Sequence, residues 1–231
     1  SYSMANVPGD EVLEFHIRLI PGGRVSGHIG DQLQVGDPVQ VEGPYGSAHL
    51  RPDDDSPLVL IAGSSGLAPA KSIARTALNG QPERPVHLYF GVRSEAHVYD
   101  EGELKLLAAR HRGFTAQVVL SEPEGETARR RGNLAEAVCA DLDRHRGAQF
   151  YVAGPPEMVD AVTQALAAAR RGAMPVRQSV TIMPARRACF AYQLNGYWAV
   201  KYRSRSTGSP NGPRTEGTPA AGAAADRRQA G

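Results

Sequence analysis

The sequence predicts an α/β plus β fold, in which an incomplete antiparallel β-barrel is followed by a doubly wound domain built on a parallel sheet. Two observations lead to this prediction. In residues 1–52, short segments of alternating apolar and polar residues are separated by glycine and proline, as in small antiparallel barrels. From residue 57 onward, apolar strands alternate with segments of helical period, which indicates strands that run parallel to one another.

The first domain contains one clearly alternating segment. In residues 12–20, Leu13, Phe15 and Ile17 alternate with polar residues, which predicts an antiparallel strand with one buried and one solvated face. A proline and two glycines then end this strand. Residues 26–33 predict a short helix, and residues 37–42 predict a second strand before a Gly-Pro-Tyr-Gly turn.

The second domain follows a polar linker at residues 53–56. Residues 58–61 contain no polar residue, which predicts a parallel strand buried on both faces, and a helix is predicted after the next turn. Asn133 is placed to cap a later helix. The remaining predicted elements are strand 86–92, helix 101–110, strand 114–120, helix 133–142, strand 149–153 and helix 156–170.

The C-terminal part follows neither pattern. Residues 176–202 are rich in aromatic residues but have neither a strand period nor a helix period. Residues 204–231 have almost no apolar anchors, which predicts disorder. The predicted domains are a partial β-barrel over residues 1–52, an α/β domain over 57–171, an atypical C-terminal segment over 172–203 and a disordered tail over 204–231.

Composition and charge argue against several functional classes. The net charge of +2, without a basic stripe interleaved with aromatic residues, argues against nucleic-acid binding. No apolar run reaches the roughly 18 residues of a membrane span, and no secretory signal or metal-ligand motif is visible, which predicts a cytoplasmic protein without a metal site. Cys139 and Cys189 are too few for an iron–sulfur cluster, which needs about four thiolates. The basic run at residues 129–131 predicts a solvated loop rather than a phosphate clamp.

Two glycine turns follow predicted strands of the second domain. Gly63, Ser64, Ser65 and Gly66 lead from a buried strand into a helix, whose N-terminal N–H groups carry partial positive charge and suit a phosphate. A second turn begins at Gly154, after the strand over residues 149–153. Together the turns predict a nucleotide site at the carboxyl edge of the sheet. The turn is not a P-loop, since the required Gly-Lys-Ser/Thr sequence is absent.

Five motifs occur in a specific order: SYS at residues 1–3, PGGRVS at 21–26, GPYG at 43–46, GSSGLAP at 63–69 and AGPPEMV at 153–159. In this order they resemble the ferredoxin–NAD(P) reductase superfamily, and most closely the reductase components of bacterial aromatic-ring oxygenases. The resemblance covers residues 1–170. It implies FAD as cofactor and NAD(P)H as electron donor. It also implies a ferredoxin or an oxygenase component as acceptor, with the iron–sulfur cluster on a missing segment or on that partner.

The resemblance assigns the flavin to the first domain. It places Tyr2 against the isoalloxazine ring and Ser3 near the reactive nitrogen N5, and these two are the expected catalytic residues. The full set of expected flavin contacts is Ser1, Tyr2, Ser3, His16, Ile17, Arg18, Gly22, Gly23 and Ser26. The arginine that precedes this motif in the family is absent, and the sequence begins without an initiator Met, so we expect a chain truncated at its N-terminus.

The resemblance assigns the nicotinamide dinucleotide to the second domain. Ser64 replaces the second glycine of the family's Gly-Gly-Thr-Gly-x-x-Pro turn, and Ala153 replaces the cysteine of its Cys-Gly-Pro-Pro motif. Arg93 would favour a 2′-phosphate and Glu95 would disfavour one, and the expected donor is NADH rather than NADPH. The expected contacts are Gly63, Ser64, Ser65, Gly66, Pro69, Arg93, Gly154, Pro155 and Pro156.

The predicted function is that of an FAD-dependent oxidoreductase that passes electrons from NAD(P)H to an iron–sulfur acceptor. Two alternatives remain open: a nucleotide-binding module without reductase activity, and a flavin reductase with another acceptor. Near Gly172 the sequence departs from the family pattern. A frameshift or a fused segment is the hypothesis for this departure, and the coding DNA would test it.

Overall fold

The computed structural model describes residues 2–51, 54–173, 180–184 and 197–203. Ser1, the predicted tail and most of the atypical C-terminal segment therefore lie outside the described residues. The strands and helices in chain order are β1 (Val12–Arg18), α1 (Arg24–Asp31), β2 (Leu58–Gly63), α2 (Leu67–Gly80), β3 (Val86–Val92), α3 (Glu101–Arg110), β4 (Phe114–Leu120), β5 (Arg130–Arg131), α4 (Leu134–Ala140), β6 (Gln149–Gly154), α5 (Pro156–Ala173), β7 (Val180–Pro184) and β8 (Tyr197–Arg203).

A parallel sheet with strand order β5-β4-β3-β2-β6-β7 forms the centre of the second domain. From β2 the chain winds outward through β3 and β4, and it then returns to the other side of β2 to form β6. The reversal leaves a crevice outside the carboxyl ends of β2 and β6, which is where open α/β sheets bind their ligands. The predicted doubly wound parallel sheet is confirmed.

Strand β2 is buried along its whole length because helices cover both faces of the sheet. Leu58 and Leu60 point into the core cluster that contains α2 residues, whereas Val59 and Ile61 point into the cluster beneath α4 and α5. This arrangement explains the run without polar residues, since neither face of the strand meets water. The predicted cap of α4 is also present, since the Asn133 side chain accepts the N–H of Glu136 at 2.9 Å.

The first domain has fewer strands than the sequence predicts. Strand β1 pairs antiparallel with β8, and residues before β1 run along its other edge through a bridge between Met4 and Phe15. The strand predicted over residues 37–42 is wrong: this segment is mostly exposed, and it has no strand partner among the described residues. Sequence alternation does not supply the neighbouring backbone that a strand needs for its hydrogen bonds.

The backbone of two C-terminal strands lies within the aperiodic region 176–202. Strand β7 extends the parallel sheet beside β6, and β8 supplies the partner of β1. Across the described part of the chain, none of the helices has the length and apolar character needed to cross a membrane.

Candidate functional site

The two glycine turns touch each other at the carboxyl edge of the sheet. A Cβ atom on Gly66 would overlap the carbonyl oxygen of Ala153 and would lie 2.9 Å from the amide nitrogen of Gly154. A Cβ atom on Gly154 would in turn lie 3.1 Å from the backbone of Gly63. Backbone packing therefore requires glycine at these positions, and the chain at the end of β2 approaches the chain at the end of β6 without intervening side chains.

A cleft of about 810 Å³ opens above this contact. Its volume lies within the range typical of small-molecule sites. The structure brings five of the predicted contacts to its lining, namely Arg18, Gly63, Ser64, Arg93 and Pro155. Residues at the carboxyl ends of the neighbouring strands and at the starts of α4 and α5 complete the wall, among them Gly91, Val92, Ser121, Asn133 and Met158. Met158 both contacts the core and lines the cleft.

Other residues predicted to bind the dinucleotide lie around the cleft rather than in its lining. Ser65 and Gly66 form the short 3₁₀ turn after β2, and Gly154 is buried at the end of β6. Pro69 is buried in the first turns of α2, where it packs the helix. Pro156 is exposed and starts α5. Their roles as nucleotide contacts stay predictions.

The residues predicted to hold FAD include a backbone cradle suited to an anion. Gly22 has a positive φ of 69°, and the following helix α1 has no acidic residue in its first turn and no side-chain cap. Such an N-terminus presents free N–H donors, which fits a pyrophosphate. The Ser26 hydroxyl is engaged within the protein, since it accepts the N–H of Ile20 at 3.1 Å. Residues of this chain therefore fit the phosphate part of FAD chiefly through their backbone.

The other predicted flavin residues lie on or beside β1. The Met4–Phe15 bridge and the bond from Ala5 N to Glu14 O, 2.7 Å, set an antiparallel register. Continuing this register places Tyr2 opposite Ile17, with Ser3 exposed beside it. His16 and Ile17 are buried, so their side chains point into the protein and only Arg18 reaches the cleft.

A buried lysine joins the first domain to the second. Lys71, on α2, is 2 % exposed, and its ammonium donates to Glu14 at 2.9 Å and to Asp100 at 2.6 Å. Burial raises the pKa of Glu14, but the hydrogen bond with His16 and the charge of Lys71 outweigh it and lower this pKa to about 2. Burial likewise lowers the pKa of Lys71, whereas the charges of Asp100 and Glu14 raise it above its ordinary value.

This ion pair explains why the predicted solvated face of β1 is wrong: Glu14 and His16 are 5 % and 2 % exposed. Oxygen and nitrogen atoms of Glu14, His16 and Asp100 lie close enough to hold a metal ion. The Lys71 ammonium, however, already binds both carboxylates. The group is therefore a buried ion-pair cluster in which a lysine supplies the positive charge.

The cluster continues to the turn that lines the cleft. Tyr99 donates its hydroxyl hydrogen to the carbonyl oxygen of Ser64 at 3.1 Å, and the same hydroxyl lies 3.1 Å from Nδ1 of His16. A chain of hydrogen bonds thus connects β1 with the turn after β2.

Charged residues outside the cleft lining are also paired. Arg129 binds Glu95 at 2.7 Å and Glu101 at 2.9 Å, and Arg130 binds Asp141. The solvated loop predicted for this basic run is wrong for Arg130 and Arg131, which form β5. Hydrogen bonds from Thr127 and then Arg129 lower the pKa of Glu95, which keeps that carboxylate ionised at neutral pH.

The ion-pair cluster was not predicted from the sequence, although one residue in it stands out in the sequence. Lys71 is a charged residue within an otherwise small and apolar stretch of α2, which is unusual for a helix that packs against a sheet. Nothing in the sequence indicated that Glu14 and Asp100, 86 positions apart, meet there. Ser121, by contrast, follows the carboxyl end of β4, and the rule applied to the glycine turns would have found it.

Comparison with known proteins supports the assignment of both domains. Residues 1–50 match the family described as the oxidoreductase FAD-binding domain, and residues 60–164 match the oxidoreductase NAD-binding domain. The chain is 42 % identical over 174 residues to the ferredoxin–NAD(P)⁺ reductase component of the naphthalene 1,2-dioxygenase/salicylate 5-hydroxylase systems of Ralstonia sp., covering 75 % of this chain and 52 % of that protein. It is 45 % identical over 169 residues to the reductase subunit of an aromatic O-demethylase of Amycolatopsis sp., covering 71 % and 50 %.

Solved structures agree with these relatives. The cytochrome P450 reductase of Amycolatopsis superposes with a TM-score of 0.70 at 42 % identity, covering 79 % of this chain and 56 % of that one. A ferredoxin NADP⁺ reductase of Neisseria gonorrhoeae with bound FAD and NADP has a TM-score of 0.64 at 21 % identity, covering 78 % of each chain, and shows the shared fold. The present chain spans about half the length of the curated relatives it matches.

Proposed function

We propose a function from the premise that these comparisons establish: the chain belongs to the ferredoxin–NAD(P) reductase superfamily. The proposed activity is the transfer of electrons from NADH, and less readily from NADPH, through FAD to an iron–sulfur acceptor. The acceptor is a ferredoxin or an oxygenase component, and the proposed location is the cytoplasm. The observation that carries this proposal is the cleft at the switch point of the sheet, whose lining includes Gly63 and Ser64 of the first glycine turn and Pro155 of the second.

The proposed role of the cleft is to bind the dinucleotide and to fix the nicotinamide end. The turn after β2 supplies N–H groups at the start of α2, where partial positive charge favours a phosphate. Gly66 and Gly154 are buried beside the cleft, where the lack of side chains lets the two turns pack closely, and the turn residues that line the cleft are Gly63, Ser64 and Pro155. Pro155 and Met158 provide apolar surface on the β6 side.

The proposed role of the first domain is to hold FAD, whose flavin ring when bound converts a two-electron donor into a one-electron donor. Gly22, Gly23 and the N-terminus of α1 are proposed to bind its pyrophosphate. Tyr2 and Ser3, which continue the antiparallel register beside β1, are proposed to contact its ring. These residues supply placement and hydrogen bonds.

The choice of NADH over NADPH is proposed to depend on Glu95. This carboxylate lies in the chain between Arg93 and His97, which line the cleft, and its charge opposes a 2′-phosphate even though Arg129 offsets part of it. Glu95→Gln should raise kcat/KM for NADPH about threefold to tenfold, as expected for removing roughly 1 kcal/mol of repulsion near the surface, and leave that for NADH within about twofold. Glu83→Gln, an exposed change before the amino end of β3, is the matched control. Equal effects on both nucleotides would contradict the proposal.

Reduction of a plant-type ferredoxin by the full chain, supplied with FAD and NADH, tests the proposed function. The expected result is loss of iron–sulfur absorbance that requires both FAD and NADH. Binding of NADH without any electron transfer would instead support a nucleotide-binding module. Reduction of free flavin or a dye, but not of ferredoxin, would support a flavin reductase with another acceptor.

A further inference from the structure

The turn that lines the nucleotide cleft contains a residue in an unusual backbone conformation. Ser64 has a φ of 54°, in the left-handed region that residues with a Cβ rarely adopt. Its carbonyl oxygen accepts two hydrogen bonds, one from the amide of Leu67 and one from the hydroxyl of Tyr99. A strained conformation persists where surrounding contacts hold it in place, and here one of those contacts comes from a side chain outside the turn.

The side chain of Tyr99 is itself held on several sides. It is 6 % exposed, and its ring meets Phe90 edge-on at 5.4 Å and His16 edge-on at 5.2 Å. His16 in turn is 3.4 Å from Glu14 and 3.5 Å from Asp100, and both carboxylates bind Lys71. Strand β1, helix α2 and the residues before α3 thus share in fixing one hydroxyl group.

Asp100 gives a second, independent sign that this cluster holds the backbone. It directly follows Tyr99, and its φ is 59°. Among the described residues, Ser64 and Asp100 are the two non-glycine residues with a positive φ. The Ser64 carbonyl oxygen accepts a hydrogen bond from the Tyr99 hydroxyl, and the Asp100 carboxylate accepts one from the Lys71 ammonium. Both left-handed residues are therefore bonded to the same buried cluster.

Holding the Ser64 carbonyl has a direct consequence for the next amide. In a trans peptide the C=O of one residue and the N–H of the next point in opposite directions. A carbonyl fixed toward Tyr99 therefore turns the Ser65 N–H away from the buried cluster. Ser64 lines the cleft, whereas Tyr99 and Lys71 lie behind it.

We propose that Tyr99 is a positioning residue that sets the nucleotide-binding turn, and that the buried ion pairs of Lys71 hold Tyr99 for this purpose. The inference rests on the proposed function, since it assigns a task at the same cleft. It also makes β1, the strand assigned to the flavin, part of the support of the nicotinamide turn, because Glu14 and His16 belong to that strand. The geometry at the two cofactors is thereby set by one hydrogen-bonded cluster.

Tyr99→Phe, compared with Tyr89→Phe in the full chain, tests this inference. Each substitution removes one hydroxyl from a tyrosine that is about equally buried, 6 % and 5 % exposed, on or after the same strand. The Tyr89 hydroxyl bonds to Asp141 and His145, away from the cleft lining. The measurements are Kd for NADH by titration, Kd for FAD and the midpoint of urea unfolding.

The expected result is a Kd for NADH raised about fivefold to tenfold in Tyr99→Phe and changed less than about twofold in Tyr89→Phe, in line with the loss of one buried hydrogen bond. If the two variants bind NADH with similar affinity, whether equal to that of the wild type or weaker, the inference about Tyr99 is overturned and the proposed function is not. A wild-type chain that binds no NADH would overturn the proposed function and this inference together. The unfolding midpoint shows whether the two variants are equally destabilised.

Discussion

Replacing Lys71 by methionine removes the positive charge between the buried Glu14 carboxylate and the partly buried Asp100 carboxylate while keeping a long apolar side chain. Glu14, which is buried, and Asp100, which is partly exposed, then lose their ammonium partner. We expect this variant to be strongly destabilised at pH 7, and to regain part of the lost stability as the pH falls.

The magnitude follows from Glu14. Burial alone would raise its pKa, yet the native surroundings hold it at about 2 against an ordinary value of 4.5. At about 1.4 kcal/mol per pKa unit, the ionised form contributes about 3 kcal/mol to folding, shared between Lys71 and His16. Removal of one partner from a buried pair typically costs about 3–5 kcal/mol. We therefore expect Lys71→Met to lower the free energy of unfolding by about 2–4 kcal/mol.

The pH dependence has a definite sign. A carboxylate whose pKa is lowered by folding stabilises the native state fully above its unfolded pKa, and loses this effect as the pH falls toward its folded pKa. For Glu14 the window runs from about 4.5 down to about 2. The difference in unfolding free energy between wild type and Lys71→Met should therefore shrink to about half or less between pH 7 and pH 3.

Urea unfolding followed by circular dichroism at both pH values provides the measurement. Lys105→Met is the matched control, because Lys105 is 72 % exposed and pairs with Glu101 at 3.3 Å on the surface of α3. It should cost no more than about 0.5 kcal/mol. A loss below about 0.5 kcal/mol for Lys71→Met at pH 7, or an equal loss at pH 3 and pH 7, would refute the reasoning.

Further predictions concern the cleft. Gly66→Ala should weaken NADH binding at least about tenfold, since the new Cβ would overlap the carbonyl oxygen of Ala153 and backbone cannot yield as a flexible side chain does. Gly80→Ala, at the other end of the same helix and with no atom within 4 Å of the added Cβ, should leave NADH binding unchanged, and titration of both variants checks this. Asn133→Ala should lower the unfolding free energy by about 1 kcal/mol, because the Glu136 amide loses its cap, and urea unfolding measures it.

Sequence patterns predicted the second domain well because its signals are local. The buried parallel strand β2 reads as an unbroken apolar run, and the predicted strands over residues 86–92 and 114–120 have the bounds found in the structure. The turn at Gly63 was recognisable because the backbone geometry there demands small residues. The cap at Asn133 was likewise predicted from a single residue type at the start of a helix.

The first domain was predicted less well because its structure depends on distant partners. Strand β1 pairs with a strand almost two hundred positions later, and no pattern between them indicated it. Glu14 and His16 read as solvated residues by alternation, yet Lys71 and Asp100 provide the charges that let them be buried. Burial of a charged side chain is decided by its three-dimensional partner, which alternation along one strand does not reveal.

Anaerobic addition of NADH to the FAD-loaded full chain tests the central claim most directly. The proposed function predicts that one equivalent of NADH bleaches the visible absorbance of the flavin and leaves oxidised NAD⁺ in equal amount. A chain that binds FAD and NADH but keeps its flavin oxidised would contradict the claim that the two sites are arranged for electron transfer.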